Sequence, residues 1–147
     1  MSLTSLNTAV AANAGRTMLV LHPTDRTPLT DAKGRPVTVD LLGRDSDVFV
    51  QAENIARNKA VEAIKEGVKF SSAAADLAGA ETLARATTGW SGIPKGWIDG
   101  TDDETPASFS FQNAVALYSN KGVAWLRDQA DKFIGDRANF LSASPKA

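Results

Sequence analysis

Val37-Thr38-Val39-Asp40-Leu41, followed at once by Leu42-Gly43-Arg44-Asp45-Ser46, decides how this chain is read. Apolar Val37, Val39 and Leu41 alternate with polar Thr38 and Asp40, the period of a half-buried strand. Gly43 ends it. Asp45 or Ser46 is placed to cap a helix, and Asp47 lies where a helix N-terminus favours negative charge. Upstream, Met18-Leu19-Val20-Leu21 is a second apolar run, stopped by His22-Pro23. Turn-formers separate the two: Pro23, Asp25 and Pro28, then Asp31 to Pro36. The expectation is a small β-hairpin over residues 17–42. A hairpin alone is marginal in water, so helices must cover its apolar face.

Downstream, apolar or small residues recur at Phe49, Ala52, Ala56, Ala60, Ala63 and Ile64, and Gly67 stops the pattern. A second helix is expected from Ser71 or Ser72 to about Thr88. Leu77, Ala80, Ala84 and Thr87 form its stripe, Gly79 weakens it by roughly 1 kcal/mol, and Gly89-Trp90 reads as its cap. Ser91 to Pro106 reads as a loop. Ser110 then caps a short helix, with Phe109 stapling onto Ala114 and Phe111, Ala114, Val115 and Tyr118 on one face. Asn120-Lys121-Gly122 breaks it. A last helix turns Val123, Leu126, Ala130, Phe133 and Ile134 inward and frays after Arg137. The expected fold is α+β, mainly α: one domain over 16–141, with the hairpin packed on about four helices between 46 and 138. Residues 1–15 carry no charged side chain and read as a flexible leader, with a short helix as the equal alternative, and 142–147 read as a loose tail.

The chain has 147 residues, 43% of them apolar and 22% charged, as in an ordinary globular protein. Lys and Arg number 16 against 17 Asp and Glu, a net charge of -1, so no global field draws nucleic acid or an anionic membrane. With no cysteine, thiol nucleophiles, sulfur-ligated zinc, iron–sulfur clusters and disulfides are excluded. The single histidine excludes a multi-histidine metal centre. No stretch approaches the roughly 20 apolar residues of a membrane span. The N-terminus has no basic region followed by an apolar run, so the expected location is the cytoplasm of the cell that makes the protein.

Candidate sites compete with plainer readings. His22 is of a residue type that serves as a general base, but beside Pro23 at a strand end it fits a turn better. Asp99 to Glu104 gathers carboxylates that suit a hard cation, yet it lacks the alternating order and the twelfth-position glutamate of a calcium loop. Gly89, Gly92 and Gly96 form no phosphate cradle, because Lys95 precedes Gly96 instead of following it. Arg57, Lys59, Lys65 and Lys69 are interleaved with Glu62 and Glu66, a solvated helix face and not a phosphate track. The expectation is no catalytic, metal or cofactor site.

The aromatic residues carry more information. Of the ten, only Phe49 and Phe70 precede Trp90. One reading is a carboxy-terminal core of large side chains. The other is a partner-binding groove drawn from Trp90, Trp97, Phe109, Tyr118, Trp125 and Phe140, since aromatics dominate interface anchors. Trp97, flanked by glycines in the loop, is the best exposed candidate.

Leu21-His22-Pro23-Thr24, Pro28-Leu29, Gly34 to Val39 and Leu42 to Ser46 come first in a longer series. After them follow Gly89-Trp90, Phe111-Gln112-Asn113-Ala114, Leu117-Tyr118, Trp125-Leu126, Gln129, Phe133-Ile134 and Asp136 to Leu141. In this order, over about residues 17 to 141, they resemble the tail assembly chaperones, also described as minor tail proteins, of long-tailed bacteriophages and prophages. Each motif is short, and specificity comes from their order and the closing W-x-x-x-Q-x-x-x-F pattern. The first fifteen residues have no counterpart in the resemblance.

The resemblance implies a non-enzymatic protein that binds the tape measure protein, keeps it soluble, helps recruit tail tube protein and is absent from the finished tail. Self-association stays open. A structural minor tail or connector protein retained in the virion is the alternative, and a small enzyme centred on His22 is a third class. The resemblance also implies a longer product made by ribosomal frameshifting. Pro145-Lys146 suits slippery codons, while the plainer and favoured reading is a polar end.

Overall fold

The computed structural model describes residues 2–141. Its architecture is mixed α+β and mainly helical. The expected loose tail, 142–147, lies outside the described residues.

Strand β1, Arg16–Leu19, pairs antiparallel with β2, Thr38–Leu41. Alternation does what its period requires: Met18, Val39 and Leu41 are fully buried while Thr17, Thr38 and Asp40 stay half-exposed. The link between the strands is no tight turn. Residues 20–37 form a long excursion pinned by isolated bridges between Leu21 and Pro28 and between Thr30 and Pro36.

A third strand, β3, Thr87–Ser91, completes the order β1-β2-β3, with Val39 opposite Trp90. This corrects the sequence expectation, which ran a helix to Thr88 and made Gly89-Trp90 its cap. The free edge of β2 offers unpaired backbone groups, and β-branched Thr87 and Thr88 enter extended conformation readily. Helix ends where sheet begins.

Around the sheet lie α1 (Leu3–Leu6), α2 (Thr8–Ala14), α3 (Asp47–Lys65), α4 (Ser72–Ala86), α5 (Gly96–Asp99), α6 (Phe111–Ser119), α7 (Ala124–Gly135) and α8 (Ala138–Leu141). Three starts are capped by serine hydroxyls: Ser46 accepts from the Phe49 N–H, Ser71 from Ala74 and Ser110 from Asn113. The core joins the sheet to Leu83 and Ala84 of α4, Ala114 and Leu117 of α6, and Leu126, Ala130, Phe133 and Ile134 of α7. Phe109 lies edge-on to Trp90.

The stretch expected as a flexible leader contains α1 and α2, and Ala12 of α2 is buried. Gly43 makes that docking feasible. Its N–H donates to the Ala12 carbonyl at 3.0 Å, and an added Cβ would lie 2.7 Å from the Ala12 methyl and 3.2 Å from the Phe140 ring. Only glycine lets the chain leaving β2 pass this closely between α2 and α8.

Helix α3 is different. It packs on α4, yet Ala52 is its one buried residue. From Glu53 to Leu77 no side chain is buried, so the distal part of α3 and the start of α4 project as a helical hairpin. Its half-buried positions include Ala56, Ala60 and Ala63, as the stripe predicts. Ile64, expected inward, is 70% exposed, and Leu77 is 49% exposed. Both lie beyond the reach of the core, so periodicity found an apolar face with too little above it to complete burial.

Candidate functional site

The six aromatics singled out in sequence do not converge on one groove. Tyr118 and Phe140 are core residues, 2% and 4% exposed, and burial removes them from any accessible surface. The Tyr118 hydroxyl meets Thr87 Oγ1 at 2.8 Å, and burial pushes its phenol up to about 12. Phe140 sits edge-on to Phe133, with centroids 5.4 Å apart.

The other four form two pairs. Trp90 lies edge-on to Phe109 with centroids 5.0 Å apart, and its Nε1–H donates to the Ala107 carbonyl at 3.0 Å. Trp97 lies edge-on to Trp125 at 5.4 Å. It belongs to α5 and not to an open loop, and its carbonyl accepts from Asn120 Nδ2 at 2.8 Å. Both members of that pair are half-buried against the core. Phe109 alone of the six counts as exposed, at 37%. Phe111, expected inward, is 38% exposed and carries the Arg85 guanidinium over its ring at 5.2 Å.

A cleft of about 570 Å³ runs between the 29–37 excursion and the 92–106 loop, beside Trp97. Two of its acidic residues, Asp31 and Asp103, are folded back on their own turns. Asp31 accepts from the backbone N–H groups of Lys33 and Arg35 and from Arg35 Nε; the Arg35 amide, above all, holds its carboxyl below the usual range. Asp103, in the lining, is lowered chiefly by Thr105, and Asp99, just outside it, accepts from Thr101 Oγ1, which lowers its pKa likewise. Among the described residues no group of three or more His, Asp or Glu side chains is arranged to hold a metal ion. His22 Nδ1 accepts the backbone N–H groups of Thr24 and Asp25, which makes the imidazole part of a turn. Among the described residues no helix is long and apolar enough to cross a membrane.

The exposed aliphatic surface lies elsewhere, on the α3–α4 hairpin. Val50, Ile55, Val61, Ile64 and Val68 are between 40% and 70% exposed. An open depression of about 520 Å³ lies on one flank, lined by Ile55, Ala63 and Val68 with Lys59, Glu62 and Glu66. Sequence reading missed this surface because it treated the face opposite the alanine stripe as polar. The signal was there: Val50 and Val61 recur at helical spacing beside Ile64, on a flank roughly 120° round from the middle of the alanine stripe.

No protein-family model matches the chain, and neither a curated protein nor a solved structure matches it.

Proposed function

We propose that this protein is a tail assembly chaperone of a long-tailed bacteriophage or prophage. It binds the tape measure protein and assists tail tube assembly in the cytoplasm of the bacterial host, without catalysing a reaction. The observation that carries this reading is the exposed aliphatic surface of the projecting α3–α4 hairpin, a feature that suits holding an apolar helical segment of another chain. The ordered motifs between residues 17 and 141 supply the class of partner.

The test is co-expression with the tape measure protein encoded beside it. The expected result is a tape measure protein that aggregates alone and stays soluble, co-purifying, when this chain is present. A tape measure protein equally soluble without it overturns the proposal. Mass spectrometry of purified virions separates the chaperone from a retained minor tail or connector protein, whose peptides would persist in the particle. Reading the codons for Pro145-Lys146 and the overlapping frame decides whether a longer product, appended to this tail and contacting tail tube protein, is encoded.

A further inference from the structure

We propose that two copies of this chain associate antiparallel through the aliphatic flanks of their α3 helices. At about 100° per residue, Val50, Val61 and Ile64 fall within about 60° of one another, on a flank of α3 roughly 120° round from the middle of the alanine stripe. They are 45%, 41% and 70% exposed, an aliphatic stripe that the described residues leave open to solvent.

The charges around the stripe select the occupant. Asp47 and Glu53 flank its first half, Arg57 and Lys65 its second, and all four are exposed. None of the four takes part in an ion pair among the described residues. The face is therefore acidic at one end and basic at the other. A twofold antiparallel pairing centred near Ala56 sets Asp47 of one copy against Lys65 of the other, and Glu53 near Arg57. The same register places Val50 against Val61. A parallel pairing would oppose like charges at both ends, and a partner of single sign would satisfy only half of the face. Few aliphatic side chains contribute, so the dimer is weak, in the micromolar to submillimolar range. This interface uses Val50, Val61 and Ile64 of the aliphatic surface proposed above for the tape measure protein, so the two occupants compete. Its test is made on this chain alone and does not rest on that reading.

Charge exchange tests the register. In one helix Asp47 and Lys65 are about 27 Å apart, so any coupling between them is intermolecular. Sedimentation equilibrium across the micromolar to submillimolar range should show a monomer–dimer equilibrium for the native chain. Asp47→Lys and Lys65→Asp should each weaken it by about tenfold or more, and the double exchange should restore it. As a check that does not depend on those variants folding well, Arg57→Cys introduces the chain's sole cysteine beside the proposed twofold axis. Mild oxidation should give a covalent dimer, whereas Ala32→Cys, on the 29–37 excursion, should not. A native chain that stays monomeric throughout overturns the proposal. So does a dimer indifferent to both single exchanges, or one that the double exchange fails to restore.

Discussion

The Gln129 carboxamide pairs with both polar groups of the Leu21 backbone: Oε1 accepts its N–H at 3.0 Å and Nε2 donates to its carbonyl at 2.9 Å. One side chain thus completes the edge where β1 runs out and fastens α7 to the amino-terminal half across 108 positions. Its neighbours in the W-x-x-x-Q-x-x-x-F pattern behave alike, Trp125 packing on Trp97 and Phe133 entering the core. In this fold the pattern is a set of fastenings on successive turns of one helix, about two turns from end to end.

Gln129→Ala should therefore destabilise the protein by about 1–3 kcal/mol, because it leaves a part-buried donor and acceptor without partners. Gln129→Glu keeps the acceptor and loses the donor, so it should recover only part of the loss. Urea denaturation measures both, and a Gln129→Ala midpoint equal to that of the native chain refutes the assignment.

Arg137 grips Asp45 through Nε to Oδ2 and Nη2 to Oδ1, at 2.6 and 2.9 Å. The guanidinium lowers the Asp45 carboxyl from 3.8 to about 2. A pKa lowered in the folded state adds stability above the ordinary value, and that contribution disappears as pH falls through the folded one. Asp45→Asn should lower the melting temperature by a few degrees at pH 7, and the difference should close between about pH 4 and pH 2. A gap that is constant with pH would show that the carboxylate charge is not what matters.

Thr87 Oγ1 donates to the Leu83 carbonyl, so Tyr118 supplies the proton in the hydroxyl pair between them. Tyr118→Phe removes one hydrogen bond and leaves Thr87 satisfied, a cost of about 1 kcal/mol. Thr87→Val strands a buried phenol and should cost more, about 1–3 kcal/mol. The phenol, raised from 10.0 to about 12, adds stability below pH 10 that is lost as the pH climbs to about 12. Tyr118 is the chain's sole tyrosine, so absorbance near 295 nm follows it directly. Tyrosinate appearing near pH 10 while the protein is still folded would contradict the burial.

Trp97→Ala is no clean probe of binding in this structure. Half-buried against Trp125 and the core, Trp97 should cost about 2–4 kcal/mol on truncation, against less than about 1 kcal/mol for exposed Phe109→Ala. Chemical denaturation ranks the two, and equal costs would sink the distinction drawn from burial.

The chain's own letters determined what is local. Alternation at Val37 to Leu41 marked β2, since opposite strand faces differ in burial whatever lies above them. Serine hydroxyls three residues before free N–H groups marked the starts of α3, α4 and α6, because a cap is satisfied within one turn. Tertiary structure decided the rest. Thr87 to Ser91 became a strand because β2, almost fifty positions earlier, had an unpaired edge. The alanine stripe of α3 was legible, but not that the core stops at Ala52 and leaves Ile64 in solvent. Which aromatics are accessible was equally hidden: Tyr118 and Phe140 are enclosed, and Phe109 is not, through neighbours that no local spacing names. Periodicity gives each side chain a direction, and only the assembled elements say whether anything lies there to cover it.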